Sequence, residues 1–294
     1  MPAEPQSAPD LTDVRETRLG QLIVSIFGLY ARAEGNWLSV ASVVTLMADL
    51  GAPDQAVRSS VSRLKRRGVL RSERAGGAAG YALTDPALDV LAEGDVRIFE
   101  RARATEDDGL LVVVFSVPES QRDKRHALRS SLSQLGFGTV APGVWVAPGT
   151  LGSEALHCLE RRGLTAYVDI FTGSHVAFGD LRSKIPQWWD LAELSELYRD
   201  FLGRYSPLLD RVREGPITPL EAFQMYLPML TQWRRLPYRD PGLPLALLPP
   251  NWDGEAAGTL FDDLNKALNG HAQEHAHAVI RPAAPPGPAQ DIEG

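Results

Sequence analysis

Basic side chains are concentrated in one short segment of an acidic chain. The 294 residues carry a formal net charge of −7, yet residues 58–74 contain seven arginine or lysine residues and one acid, Glu73. Such side chains bind phosphate oxygens, and arginine also pairs with the edge of guanine. A basic patch on an acidic body is typical of a protein that binds a polyanion at one site, because the rest of its surface repels that polyanion. The alternative is a solvated basic helix face that binds nothing.

The same segment predicts a helix that exposes these side chains on one side. Pro53 suits the first helical position, Asp54 lies near the positive end of the helix dipole, and Gly68 is placed to end the helix. The expected buried stripe consists of apolar residues at helical spacing, namely Ala56 or Val57, Val61 and Leu64. The outward residues then form one acid-free surface, here called the polar ridge: Arg58, Ser59, Ser62, Arg63, Arg66 and Arg67.

We expect this ridge to enter the major groove of double-stranded DNA, since arginine and serine can donate to base edges and to phosphates. The expected base contacts are Arg58, Ser59, Ser62, Arg63 and Arg66. The expected phosphate contacts are mainly Lys65, Arg67 and Arg74. Arg71 and Arg74 lie beyond the helix, where they would reach the DNA backbone or the minor groove.

The elements around this helix predict a winged helix-turn-helix over residues 15–100. Apolar residues at helical spacing predict one helix over residues 17–33 and a second over 39–49, with Ser39 as its N-cap and Gly51 at its end. After the basic helix come a strand at Val69–Arg71, a glycine-rich tip at Gly76–Gly80 and a returning strand at Tyr81–Thr84. A winged helix that binds protein or RNA remains an alternative.

Residues 108–175 predict a ferredoxin-like domain. An unbroken apolar strand at Leu110–Ser116 is followed by a helix, two strands around Pro142-Gly143, a second helix and a last strand at Thr165–Phe171. This is the β-α-β-β-α-β order. A metal-dependent nuclease built on this domain would need a pair of acids in the first strand or in the loop after it, and no such pair is present there. We therefore interpret the domain as a scaffold or a dimerisation domain.

Residues 185–277 predict a helical domain that contains four of the six tryptophans of the chain: Trp188, Trp189, Trp233 and Trp252. A pocket between its helices is a candidate site for an aromatic or acyl effector. The alternative is that these aromatic residues form the core of the domain. The fold class is therefore α+β, with proline-rich segments at residues 1–14 and 278–294 that are expected to be disordered tails.

Several classes of protein are not expected. Apolar runs are too short for a membrane span, the N-terminus lacks signal-peptide features, and the single cysteine, Cys158, cannot form an internal disulfide, so we expect a cytoplasmic protein. Phosphate-binding loops, dinucleotide fingerprints and nucleophile elbows are missing, so we expect neither an enzyme nor a cofactor. His271, Glu274 and His275 have the spacing of metal ligands, but an exposed helix end explains them as well, and we expect no metal.

Three stretches resemble the PaaX family of repressors, named for control of phenylacetic acid degradation. They are residues 56–64 (AVRSSVSRL), residues 135–146 (LGFG, then APGVWV) and residues 239–252 (RDPGLP, then LLP and Trp252). The resemblance implies a winged-helix domain, a central ferredoxin-like domain similar to small CRISPR-associated nucleases, and a helical C-terminal domain. It also implies a homodimer that represses a catabolic operon from a palindromic operator, and an acyl-coenzyme A effector such as phenylacetyl-coenzyme A that releases the DNA.

Overall fold

The computed structural model describes residues 18–100, 103–176 and 179–281, which form an α+β arrangement with a helical C-terminal part. The predicted tail at residues 1–14 lies outside the described residues. No helix among the described residues is long and apolar enough to cross a membrane.

The N-terminal block packs helices against a small antiparallel sheet with the strand order β1-β3-β2. Its elements are α1 (Arg18–Ile26), β1 (Trp37–Ser39), α2 (Val40–Asp49), α3 (Asp54–Arg66), β2 (Leu70–Ala75), β3 (Ala78–Leu83) and α4 (Asp85–Asp95). Two π-helical segments, Phe27–Ala31 and Val96–Glu100, continue α1 and α4 respectively.

Local interactions explain where these elements begin and end. The Ser39 hydroxyl accepts a hydrogen bond of 2.9 Å from a backbone N–H of α2, so the predicted N-cap is confirmed. The sequence predicts Pro53 at the first helical position of α3, and this is wrong: Pro53 has extended backbone and lies immediately before the helix. The expected tip at Gly76–Gly80 is also too long: the turn consists of Gly76 and Gly77, whose positive φ angles suit a two-residue hairpin loop. The sequence pattern predicts neither β1 nor α4.

The central block contains a four-stranded antiparallel sheet with the order β5-β6-β4-β7. Its elements are β4 (Leu110–Phe115), α5 (Arg122–Gln134), β5 (Gly138–Ala141), β6 (Val144–Pro148), α6 (Gly152–Arg161) and β7 (Val168–Gly173). Residues Thr165–Tyr167 form a 3₁₀ turn, so the last strand begins later than predicted. A core that includes Leu111, Val113 and Leu132 lies between the sheet and its helices.

The C-terminal block is helical and begins at residue 181, before the expected boundary at 185. Its helices are α7 (Leu181–Trp188), α8 (Leu191–Glu214), α9 (Pro219–Trp233), α10 (Leu236–Arg239) and α11 (Asp253–Ile280). Thr218 and Glu221 form a capping box at the start of α9, and the backbone and side-chain hydrogen bonds from Thr218 and Arg211 hold the pKa of Glu221 below its usual range. Residues 278–280 belong to α11, which corrects the expected start of the C-terminal tail. Residues 282–294 lie outside the described part of the chain.

The N-terminal and C-terminal blocks share one continuous hydrophobic core. Tyr30, beyond α1, and Phe223 in α9 are fully buried with their ring centroids 6.0 Å apart. The Thr231 hydroxyl in α9 donates a hydrogen bond of 2.8 Å to the hydroxyl of Ser25 in α1. The helical block is therefore packed directly on the helices that support α3.

Arg97 connects all three blocks. It lies in the π-helical segment after α4, and its guanidinium donates 2.8 Å hydrogen bonds to the carbonyl of Leu135 and to the carboxylate of Glu154 in the central block. It also donates a 2.9 Å bond to the carbonyl of Pro237 and lies over the Tyr238 ring, 4.9 Å from its centroid. The side chain is 9% exposed, so these contacts replace almost all of its hydration.

We predict that Arg97→Met lowers the free energy of unfolding by about 3 kcal/mol, because Glu154 and two buried carbonyls lose their partner. Urea unfolding followed by tryptophan fluorescence measures this change. The matched control is Arg122→Met, which removes an exposed guanidinium from its pair with Glu119 and should leave the midpoint unchanged. An unchanged midpoint in Arg97→Met would contradict the role assigned to Arg97.

Candidate nucleic-acid interface

α3 is held against the N-terminal core by one face. Val57, Val61 and Leu64 are almost completely buried, as is the hydroxyl-bearing Ser60. The helix packs against α1 and α2. Its C-terminal end is fixed to the sheet, since the Thr84 hydroxyl donates a 2.5 Å hydrogen bond to a carbonyl just after α3. The opposite face of α3 is therefore presented by a rigid support.

The polar ridge lies on this opposite face, but its members differ in exposure. Arg58, Ser59, Ser62 and Arg66 are exposed, as is Lys65 beside them. Arg63 and Arg67 are half-buried. The guanidinium of Arg63 donates a 2.8 Å hydrogen bond to the Ser60 hydroxyl, so Arg63 lies along the helix and would have to leave Ser60 to contact a base.

The acids near the ridge pair with Arg58, which belongs to the ridge, and with Arg71 on β2. The carboxylate of Asp54 accepts a 2.7 Å hydrogen bond from the guanidinium of Arg58. This hydrogen bond and the negative charge of Asp54 raise the pKa of Arg58. Arg71 pairs with Glu73 on β2. Both pairs are exposed, so water screens them and phosphate oxygens can replace the carboxylates at little cost. Lys65 and Arg66 form no ion pair with any residue that the structure describes.

The hairpin β2–β3 extends beyond α3. Arg71 and Arg74 lie three residues apart on β2, and side chains alternate between the faces of a strand. These two arginines therefore point to opposite faces of the hairpin and do not form one surface. Arg74 donates a 3.3 Å hydrogen bond to the carbonyl of Gly77 at the turn.

The four tryptophans proposed as effector ligands do not line one pocket. Trp233 is fully buried and stacks on Phe261 with ring centroids 4.5 Å apart. Trp252 packs edge-on against Tyr198. Trp189 covers the central sheet and donates a 2.8 Å hydrogen bond to the carbonyl of Gly136, with the half-buried Trp188 beside it. Trp233 and Trp252 therefore pack inside the helical block, whereas Trp188 and Trp189 pack where that block meets the central sheet.

The remaining reactive side chains do not form a site within the described residues. The His275 ring nitrogen lies 2.8 Å from a carboxylate oxygen of Asp49, whereas His271 is exposed, and no group of potential ligands there could hold a metal ion. Cys158 is buried in α6, and burial raises the pKa of its thiol. A thiol in this environment is a poor nucleophile.

Family models match nearly the whole described chain. They are the PaaX-like protein model over residues 18–87, the PaaX protein central Cas2-like domain over 103–185 and the PaaX-like protein C-terminal domain over 189–278. The chain belongs to the PaaX family.

One relative agrees with this assignment, and one solved structure has a similar fold. The transcriptional repressor PaaX of Escherichia coli (strain K12) is 27% identical over 244 residues, which are 81% of this chain and 77% of that protein. The solved structure of the uncharacterized protein Rv0674 from Mycobacterium tuberculosis is similar with a TM-score of 0.53 and 23% identity, over 85% of this chain and 96% of that one. The second likeness concerns the fold alone.

In this PaaX family chain, sequence reasoning missed the contact that fixes the hairpin to the rest of the block. Trp37 in β1 lies across β3 at Gly80, and its indole N–H donates a 3.3 Å hydrogen bond to the carbonyl of Glu73. A Cβ at Gly80 would lie 2.4 Å from the Trp37 ring and from the carbonyl of Leu38. The available signal was a glycine within a strand, which often marks a close approach.

We predict that Gly80→Ala destabilises the protein by about 1–3 kcal/mol, because β3 must move away from β1 to admit the methyl group. Thermal unfolding measured by circular dichroism tests this. Gly203→Ala in the exposed face of α8 is the control: nothing lies near its Cβ position, and the substitution should stabilise the helix slightly. Equal melting temperatures for Gly80→Ala and the unchanged protein would contradict the close packing.

Proposed function

We propose that this chain is a transcriptional repressor that inserts α3 into the major groove of an operator. The observation that carries the proposal is the acid-free polar ridge on the exposed face of a helix whose other face is buried. α2, α3 and the β2–β3 hairpin are interpreted as a winged helix-turn-helix, a geometry in which the second helix of the motif contacts bases. The relative named transcriptional repressor PaaX supports the same function.

Residue roles follow from exposure and pairing. Arg58, Ser59, Ser62 and Arg66 are assigned to base edges, and Arg63 joins them if its guanidinium leaves Ser60. Contacts to phosphates are assigned to Lys65 and Arg67 on α3. Arg71 and Arg74 are assigned to separate phosphates, because they point to opposite faces of the hairpin. When DNA binds, Arg58 and Arg71 would exchange the carboxylates of Asp54 and Glu73 for phosphates. If either arginine does not contact the DNA, the nearby carboxylate would repel it. The proposal assigns no catalytic residue and no cofactor.

A homodimer on a palindromic operator is part of the proposal, because one short helix makes few base contacts, each worth about 1–3 kcal/mol. The central block, interpreted as a ferredoxin-like domain, offers a surface for dimerisation. The sheet face opposite its helices carries Val114, which is 38% exposed, and Phe171, which is 57% exposed. Their register partners place Val112 and Val144 on the same face. Val146 on the same face is buried in the core shared with the other blocks, and Asp169 on it is exposed. The apolar surface open to a partner is therefore the part around Val114, Val144 and Phe171, and exposed apolar surface favours association.

An acyl-coenzyme A effector, such as phenylacetyl-coenzyme A, would release the operator of a catabolic operon by favouring a state in which the two recognition helices do not match successive grooves. A 100-fold loss of operator affinity requires about 2.7 kcal/mol of differential binding. The direct contact between the C-terminal block and α1 supports this coupling, because movement of the helical block would displace the support of α3.

The decisive experiment is a fluorescence-anisotropy titration against the DNA upstream of the gene cluster that encodes the chain, at about 150 mM salt, with and without phenylacetyl-coenzyme A. Tight sequence-specific binding that the thioester relieves is the expected result. Binding that ignores the thioester would remove that effector from the proposal. Weak binding that is equal for all sequences would overturn the repressor function and favour an interaction module.

We predict that Lys65→Ala weakens binding to operator and to unrelated DNA by the same factor, because Lys65 is assigned to a phosphate. The slope of log affinity against log salt should fall by about 0.9 for each lost contact. Anisotropy at several salt concentrations measures both quantities. Lys266→Ala, in the exposed face of α11, is the control and should change neither. A loss confined to the operator would contradict the phosphate assignment.

We predict that Phe171→Asp converts a dimer into monomers, because the carboxylate would have to be buried against the apolar sheet face of the partner. Light scattering after size-exclusion chromatography gives the mass directly, and circular dichroism checks that the variant is folded. Leu245→Asp alters an exposed apolar residue outside the sheet and should not change the mass. A dimeric Phe171→Asp variant would place the dimer contact elsewhere.

A further inference from the structure

A groove between the N-terminal and C-terminal blocks contains a buried arginine. The groove lies between α1, α4 and α9, and its cavity volume is about 50 Å³. Apolar side chains make most of its wall: Val24, Leu29, Leu91, Ile98, Phe99 and Leu230. The enclosed part of the groove holds about one or two water molecules or a carboxylate group, and the rest of the groove, where a hydrocarbon chain would lie, is open to solvent.

Arg234 lines this groove at the C-terminal end of α9 and is only 9% exposed. One Nη atom lies 3.4 Å from the carbonyl of Gln21, at the long limit of a hydrogen bond, and Nε has no acceptor among the described residues. Burial, together with the charge of the neighbouring Arg235, lowers the pKa of Arg234 to about 10. The guanidinium therefore remains charged at neutral pH.

The acid in the groove lining, Asp95, does not neutralise the charge of Arg234. Asp95 lines the same groove, but its carboxylate is 2.7 Å from Arg32, which it pairs with. Arg234 and Arg235 form no ion pair with any residue in the described ranges. The dipole of α9 favours a cation at its C-terminal end, yet it supplies no acceptor for Nε. A buried cation without a counter-ion is costly, so an anion from outside the chain would stabilise it.

We propose that this groove binds a small amphipathic anion, a short-chain carboxylate, with the carboxylate on Arg234 and the hydrocarbon chain against Leu91, Ile98 and Leu230. Guanidinium and carboxylate form a bidentate pair. The apolar walls add the contribution of the buried chain. The carboxylate pairs only with Arg234 and the hydrocarbon chain packs only against the apolar wall, so the proposed ligand needs both groups.

The position of the groove connects this ligand to α3. α1 supplies Val24 to the wall of the groove and packs against α3 with other residues. A bound carboxylate would join α1 to α9 and α4 and so set the position of α3 relative to the helical block. This consequence rests on the proposed DNA-binding function, whereas binding of the carboxylate does not.

The test uses the full chain and three probes at equal ionic strength: sodium hexanoate, hexanamide and sodium acetate. Hexanoate should raise the melting temperature in a saturable manner and give a calorimetric isotherm, because it has both the charge and the chain. Hexanamide lacks the charge and acetate lacks the chain, so each should bind at least tenfold more weakly. Equal responses to all three probes would overturn the proposal.

Two variants locate the site. Arg234→Met keeps the apolar stem, removes the buried charge and should abolish the response to hexanoate. Arg213→Met, at the exposed C-terminal end of α8, is the control and should respond as the unchanged protein does. Leu91→Trp keeps Arg234 but fills the groove from α4, so it should also abolish binding and remains informative if Arg234→Met does not fold. Hexanoate binding retained in either folded variant would overturn the site.

An anisotropy titration with operator DNA separates this proposal from the proposed function. A change of at least threefold in operator affinity on adding hexanoate, lost in Arg234→Met, supports the connection to α3. Hexanoate binding with unchanged operator affinity would overturn that connection and leave the site standing. If the chain binds no specific DNA, the repressor function fails while the calorimetric result for hexanoate stands by itself.

Discussion

The guanidinium of Arg97 is the contact on which the arrangement of the three blocks depends. It satisfies carbonyls of the central and C-terminal blocks and the carboxylate of Glu154 from a segment that belongs to the N-terminal block. A planar group with five donors can do this, and no other side chain has that geometry. The buried pair of Arg103 and Asp240, 2.8 Å apart, adds a second link nearby. Asp240 also accepts from Tyr198, so this junction extends into the helical core.

This junction and the shared core make the helical block part of the support of the polar ridge. Ser25 and Thr231 bond across the two blocks, and Asp49 at the end of α2 pairs with His275 in α11. A rigid support lowers the entropy that a DNA-binding helix loses on docking. A ligand bound between the blocks would therefore act on α3 through direct packing contacts.

Local periodicity predicts the parts of the fold that depend on neighbouring residues. The buried stripe of α3, the cap at Ser39 and the strand–helix order of the central block follow from spacing and capping chemistry alone. The polar ridge is on the expected face for the same reason. β1 is too short for a periodic signal and exists because Trp37–Ser39 pairs with β3. The four tryptophans illustrate the same limit, since composition cannot distinguish a ligand pocket from a core. The sequence does not reveal the roles of Arg97 and Arg234 either, because only the tertiary structure determines which arginine is buried and which carboxylate lies near it.

Three environments give arginine three different roles in this chain. Arg58 and Arg66 are exposed; Arg58 pairs with the equally exposed Asp54, and Arg66 has no ion pair among the described residues. Water screens such a surface pair, so both arginines can bind a polyanion at low cost. Arg97 is buried with every contact satisfied by its own chain, so it stabilises a fixed arrangement. Arg234 is buried with one long hydrogen bond, to the carbonyl of Gln21, and its Nε has no acceptor among the described residues. A cation buried at a block boundary without a counter-ion would be stabilised by an anion that binds there, which is why the groove is proposed as the site.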